Sequence, residues 1–372
     1  MATHFKRMKA TFFVLEEPDF LQNRIFSGES INGVKNYGFL FTDLRKMLAQ
    51  QGIDLATQDL HPAAESDLII ALDQTVELQQ LKLRPSAKVY LLLNEPATYY
   101  PENWQKENHG VFNRIFTYDY TLADQERYVH HYFAIDLEDT PAARPVSEAE
   151  FNQRKLCVLM AGMFQPTKPV AGSTSLLYTR YQTVKWFAQH HPEDFSLYSR
   201  GIEPRLLQSF RGLGLLQRVL PAPLLKQVTD TVVTRRKSIF DRVSRGPVPP
   251  NAKIDTFRNY RFAVCYENTA LAGYISEKIF DCFAAGCVPI YLGEPEISRF
   301  IPKECFIDRR EFSTDEELYS FIKAMPYAQY RKYVEAVLAF SQGVEHDKFG
   351  SVANAQRIAS VILQDLQLPG AQ

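Results

Sequence analysis

The residues of this sequence best suited to chemistry crowd into Arg261–Gly293, RFAVCYENTALAGYISEKIFDCFAAGCVPIYLG. Glu267, Asn268, Tyr274, Ser276, Glu277 and Lys278 all fall between positions 267 and 278. Carboxylates, an ammonium, an amide, a phenol and a hydroxyl are the groups that grip a phosphorylated ligand and steer charge around it. The elements that must position them can be read locally. Phe262–Tyr266 is a short apolar, aromatic and β-branched run, which predicts a strand. Glu267-Asn268-Thr269 ends it, Gly273 lets the loop turn, and Ser276 is the expected N-cap of a helix over 277–285. Gly286 stands where a helix C-terminus takes glycine, and 287–292 is a second strand. A strand–helix–strand unit of this kind binds ligands at the carboxyl ends of its strands, and its helix N-terminus favours a phosphate. Lys278 opposes that dipole, a cost of roughly 0.3–1 kcal/mol at an exposed site, so it should have another partner. The alternative is that Glu277 and Lys278 are ordinary solvated helix residues.

The stretch ENTALAGYISEK resembles the signature of the family ten α1,3-fucosyltransferases: Glu-Asn-Ser/Thr, a short loop, then Tyr-Ile/Val-Thr/Ser-Glu-Lys. The following IFDCFAAGCVPIYLGEPEISRFIPKECFIDRREF is similar to the continuation in bacterial members, of the type that decorates lipopolysaccharide or O-antigen. The resemblance implies an α/β fold of the GT-B kind, two Rossmann-like domains facing each other across a cleft. It also implies GDP-fucose as donor, with no required cofactor and no obligatory metal.

In the first half, Lys88–Leu93 is a buried-looking strand with Asn94-Glu95-Pro96 at its carboxyl end. A carboxylate there faces the cleft of an open α/β sheet, although a turn-forming role fits the position equally. Glu95 matches the acidic residue that the resembled family places after this strand, where it is proposed as general base. Glu102 is the reserve candidate. Val111–Tyr120 is similar to the family's next strand. In the second half, Tyr178–His190 predicts an amphipathic helix with Arg180 near its N-terminal end. An arginine of this helix contacts the donor diphosphate in the family, and Arg180 matches it; a surface arginine is the other reading. His190 and His191, adjacent on a helix, point apart and make no ligand pair.

At 372 residues, two domains are expected. The rest of the first is predicted from alternating runs: strands at 10–15, 53–55 and 68–72, a helix over roughly 33–51 and a short one over 77–83. This is the pattern of a parallel sheet covered by helices. Pro-rich Leu137–Val146 is the expected linker, which divides the chain into an acceptor domain (1–145), a donor domain (146–350) and a C-terminal helix (351–372) that crosses back. Helices are expected over 315–324, 327–340 and 349–366. The 45% hydrophobic and 23% charged content is ordinary for a globular protein. A net charge of −1 argues against a nucleic-acid partner. Without an apolar run of about twenty residues no membrane span is predicted, and the N-terminal acids argue against a signal peptide, so a cytoplasmic location is expected. The five cysteines, odd in number and set mostly in apolar runs, read as buried thiols. The basic, leucine-rich stretch 204–245 reads as a helix packed on its own domain or as peripheral contact with an anionic inner-membrane face.

Breaking a sugar–diphosphate bond requires neutralising the leaving group, a role for Arg180, Lys278 and the helix N-terminus. Activating the acceptor hydroxyl requires a base, Glu95. Glu277 is expected to meet the fucose or the positive charge developing on it, with Asn268 and Tyr274 orienting the donor. One base and no protein nucleophile implies inversion, so that GDP-β-L-fucose gives an α-L-fucoside. The resemblance implies an α1,3 linkage, with α1,4 and α1,2 as the alternatives, to an N-acetylglucosamine- or glucose-type residue of a surface glycan. The competing readings are a GT-B glycosyltransferase with another nucleotide sugar and a non-catalytic sugar-nucleotide-binding protein.

Overall fold

A computed structural model describes residues 7–28, 38–138, 140–162, 174–201, 218–249 and 251–368. The chain builds two parallel sheets in sequence. In the first, β1 (Met8–Phe13), β2 (Ile53–Thr57), β3 (Leu68–Leu72), β4 (Lys88–Leu93), β5 (Arg114–Thr117) and β6 (Tyr128–His130) lie in the order β2-β1-β3-β4-β5-β6. Every residue of β3 is buried, as expected of a parallel strand covered on both faces. Its register against β4 runs from Leu68 opposite Lys88 to Leu72 opposite Leu92. This register sets the carboxyl ends of β3 and β4 side by side.

The second sheet uses β7 (Lys155–Met160), β9 (Phe195–Tyr198), β10 (Tyr260–Tyr266), β12 (Val288–Leu292) and β13 (Ile307–Asp308), in the order β13-β12-β10-β7-β9. A two-residue antiparallel pair, β8 (Thr174–Ser175) with β11 (Thr269–Ala270), sits beside it. The expected strand–helix–strand unit is β10, the helix Glu277–Ala285 and β12. The segment expected to link the domains lies between β6 and β7.

The C-terminal helix Ser351–Asp365 leaves the second sheet and buries Ala355, Ile358, Ala359, Ile362 and Leu363 in the first domain's core. Arg114 and Tyr90 fasten its end by hydrogen bonds to Asp365. The helix expected over 33–51 is Phe39–Gln50, its earlier part falling outside the described residues. Of the basic stretch, 204–217 also lies outside them, and Ala222–Asp241 is one helix with Lys226, Arg235 and Lys237 exposed. All five cysteines are free and buried. No helix among the described residues is long and apolar enough to cross a membrane.

Candidate active site

The cluster around the β10 end is organised by Glu267, which has no exposed surface. Strand β10 ends at Tyr266 opposite Leu292 of β12, and the Glu267 N–H still donates to the Leu292 carbonyl at 2.8 Å. Its side chain is thereby turned under the loop. Oε1 accepts the Ser276 N–H at 2.8 Å, and Oε2 accepts the Ser276 hydroxyl at 2.7 Å and the Lys278 ammonium at 3.1 Å. Lys278 also donates to Ser276 Oγ at 2.8 Å. This is the partner that its place against the helix dipole required. Burial disfavours the Lys278 charge, but Glu267 and Glu277 outweigh it and hold the ammonium above its ordinary range.

Ser276 corrects one expectation. It has the extended backbone of an N-cap, but its side chain caps nothing. The hydroxyl lies between a carboxylate and an ammonium, and charged partners hold it more strongly than a backbone N–H would. Glu277 lies 3.6 Å from Lys253 and 4.0 Å from Lys278. Burial alone would raise its carboxyl, but the two lysines pull it down to about 2. Its side chain keeps 44% of its surface exposed, so it can meet a ligand as an anion.

Arg180, on the helix Leu177–His190, is 1% exposed. Its guanidinium donates to the carbonyls of Gly162 (2.9 Å), Tyr266 (2.6 Å) and Glu267 (3.1 Å) and to Asn268 Oδ1 (3.2 Å). These bonds join the ends of β7 and β10 and fix the loop that carries Glu267 and Asn268. Only Nε is without a partner among the described residues. Arg180 is therefore the brace of the cationic pocket, and Lys278 supplies its accessible charge. Tyr274 is buried, its ring 5.4 Å from both Tyr118 and Phe133 of the first domain. The domains meet tightly here: a Cβ on Gly273 (φ +72°) would fall 1.9 Å from the Tyr118 carbonyl oxygen.

Glu95, just past the carboxyl end of β4 in the first domain, is half-buried. Burial pushes its carboxyl above the ordinary range, Lys278 pulls it down and Glu277 pushes it further up. The charges of the second domain thus reach the candidate base across the cleft. Among the described residues no hydrogen bond forms to its carboxylate, but its backbone is held on both sides. Its N–H donates to Asp73 Oδ2 at 2.9 Å, and its carbonyl accepts Trp104 Nε1–H at 2.9 Å. Tyr99, exposed on the same loop, feels Arg180, Glu95 and Lys278 together, though burial is the main cause of its raised phenol. The reserve residue Glu102 sits exposed in a 3-10 turn. Asp73 and Tyr99 were missed in the sequence, although Asp73 carries the signal used for Glu95: an acid directly after an apolar strand. Away from the cleft, His191, Glu193 and Asp194 come within 4.8 Å of one another. Asp194 is already engaged by Tyr319 at 2.9 Å and Lys323 at 2.6 Å.

Residues 233–347 match the profile of glycosyltransferase family 10 (fucosyltransferase), C-terminal part. The α-(1,3)-fucosyltransferase 7 of Rattus norvegicus is 37% identical over 98 residues, 26% of this chain and 26% of the relative. The α-(1,3)-fucosyltransferase FucT of Helicobacter pylori is 32% identical over 71 residues, 19% of this chain and 15% of the relative. The chain thus aligns with about a quarter or less of these relatives' length. Over the whole chain the likeness is one of fold. Anabaena HepE in complex with UDP and glucose superposes with a TM-score of 0.53 at 12% identity, covering 96% of this chain and 100% of that one. Glu267, Ser276 and Lys278 lie within residues 233–347, the span similar to the family 10 C-terminal region, and the chain as a whole has the GT-B architecture of the structures it resembles.

Proposed function

We propose that this protein is an inverting fucosyltransferase that moves L-fucose from GDP-β-L-fucose to a hydroxyl of an N-acetylglucosamine- or glucose-type residue in a cell-surface glycan, forming an α1,3 linkage. The observation that carries this reading is the buried Glu267–Ser276–Lys278 cluster, which lies inside the span similar to the family 10 fucosyltransferases. Glu95 of the other domain, raised by burial and sensing Lys278 and Glu277, is the fitting base. The acceptor oxygen attacks C1 as the bond from C1 to the phosphate oxygen breaks. Its proton passes to Glu95, and the electron pair leaves with GDP. Lys278, fixed by Glu267 and Ser276, neutralises the diphosphate together with the N–H groups at the start of the helix Glu277–Ala285. Glu277 stays anionic and faces the positive charge that grows on the sugar. Asn268, locked by Arg180, and Tyr274 shape the floor. These side chains supply the charges without calling on a metal.

Incubating the protein with GDP-fucose and a panel containing N-acetyllactosamine and related disaccharides tests the proposal, with mass spectrometry as the readout. A mass gain of one fucose that is lost in Glu95→Gln is expected. Turnover with a different sugar nucleotide, or GDP binding with no transfer to any acceptor, would replace it with one of the competing readings. Peripheral contact with an anionic membrane through 204–245 belongs to the same proposal. It draws on the exposed Lys226, Arg235 and Lys237, and failure to pellet with anionic vesicles removes it.

A further inference from the structure

The most tightly specified feature of the cleft outside the donor pocket is the turn that carries Glu95. Strands β3 and β4 are paired to their carboxyl ends, Leu72 opposite Leu92. The chain leaves β3 through Asp73, whose φ of +51° lies in the left-handed region. Aspartate tolerates that region better than most residues. The Asp73 N–H donates to the Leu92 carbonyl at 3.1 Å, a last rung of the ladder. Its side chain then reaches over the end of β4. Oδ1 accepts the Asn94 N–H and Oδ2 the Glu95 N–H, both at 2.9 Å. Asp73 is 6% exposed. Burial pushes the Asp73 carboxyl well above its ordinary range and the two N–H bonds only partly offset it. Yet both oxygens are spent on two consecutive N–H groups, the second of which belongs to Glu95. On the other side, the Trp104 indole donates to the Glu95 carbonyl at 2.9 Å, and its ring packs 5.4 Å from Tyr118. The peptide groups flanking the Glu95 Cα are thus both pinned. Its carboxylate makes no hydrogen bond among the described residues, so the pinned backbone is the part of Glu95 that polar contacts hold in place.

We propose that Asp73 is a positioning residue for the transfer reaction, holding the backbone of Glu95 so that its carboxylate meets the acceptor hydroxyl, with Trp104 as the opposing clamp. This rests on the reading of Glu95 as the base. A shift of about 1 Å in a reacting group costs roughly a hundredfold in rate, and a base with no side-chain partner takes its aim from the main chain. Asp73→Asn keeps the size and the tolerance for the left-handed region. It replaces one accepting oxygen with an NH₂ group that faces an N–H.

The test is a double-mutant cycle of Asp73→Asn with Glu95→Gln, measured as kcat and donor KM, with GDP affinity by calorimetry. Asp73→Asn is expected to lower kcat roughly ten- to a hundredfold, leaving donor KM and GDP affinity within about twofold. In the Glu95→Gln background it should lower the residual rate no further, because residues acting as one unit are not additive. An equal loss in both backgrounds, or a raised donor KM, would assign Asp73 a merely structural role and overturn the inference. If Glu95→Gln is slow while Asp73→Asn transfers normally, the inference falls and the base reading stands. If Glu95→Gln retains the full rate, the base reading falls and takes the inference with it. Should Asp73→Asn fail to fold by circular dichroism, Trp104→Phe, which removes only the indole N–H and part of the ring, is put through the same cycle with the same criteria.

Discussion

The Lys278 ammonium lies 3.1 Å from Oε2 of Glu267, a carboxylate with no exposed surface, whereas the lysine side chain keeps 17% of its own. The pair is therefore asymmetric: the anion is fixed inside, and the cation is held at the rim where a diphosphate can share it. Removing the cation should cost both activity and stability. Lys278→Ala is expected to lower kcat about 10²–10³-fold. It also deprives a buried carboxylate of one partner, a loss of roughly 1–3 kcal/mol. Steady-state kinetics with urea denaturation measures both, and an unchanged kcat would show that Lys278 is only a structural counter-ion.

Burial holds the Glu95 carboxyl above its ordinary range, Glu277 adds to the rise and Lys278 opposes it. A base must be ionised to accept a proton, so activity should be full above this raised pKa and fall as pH drops through it. The acid limb of the kcat profile is expected above the ordinary glutamate value. Removing the nearby anion with Glu277→Gln should move that limb to lower pH among variants that retain activity. A limb at or below the ordinary value in the unaltered protein would contradict the assignment.

Gly293 follows β12 directly beneath Glu267. A Cβ at this position would lie 2.5 Å from Glu267 Cγ and 2.5 Å from the Tyr291 hydroxyl. Neither can yield easily, since both side chains are buried. Gly293→Ala should therefore displace the carboxylate that anchors Lys278, raising donor KM several-fold and destabilising by about 1–3 kcal/mol through overpacking. A thermal melt and donor titration check it, and wild-type values for both would mean that the loop adapts.

His131, at the exit of the first sheet, is 2% exposed, with Nδ1 2.7 Å from the Tyr132 carbonyl. Burial drives its pKa down to about 3, and burial together with Arg357 takes neighbouring His130 down to about 4. A histidine depressed by folding is protonated more readily in the unfolded chain. Its stabilising contribution is complete above the ordinary value of about 6.5 and declines as pH falls toward the folded value. Melting temperature should drop between about pH 6.5 and pH 4, and His131→Gln should flatten that decline among variants that fold. A pH-independent melt over this window would exclude the effect.

Much of this molecule was legible in local sequence. The helix Glu277–Ala285, the two strands around it and the helices Asp315–Ala324 and Tyr327–Ser341 follow apolar periodicity and the residues at their ends. The cluster around Glu267 was visible because its residues are close in the chain, and Glu95 because a strand end presents it. What the sequence could not assign depends on register between distant segments. Asp73 reaches Glu95 only because β3 lies beside β4. Arg180 is turned onto carbonyls because the ends of β7 and β10 converge around it. Ser276 gives up its cap because a carboxylate nine residues earlier is folded under it. Propensity and capping act over a few neighbouring residues, so the sequence by itself determined the elements and their order. Partnership among buried charges is decided by which strand ends meet, and only the tertiary structure settled that.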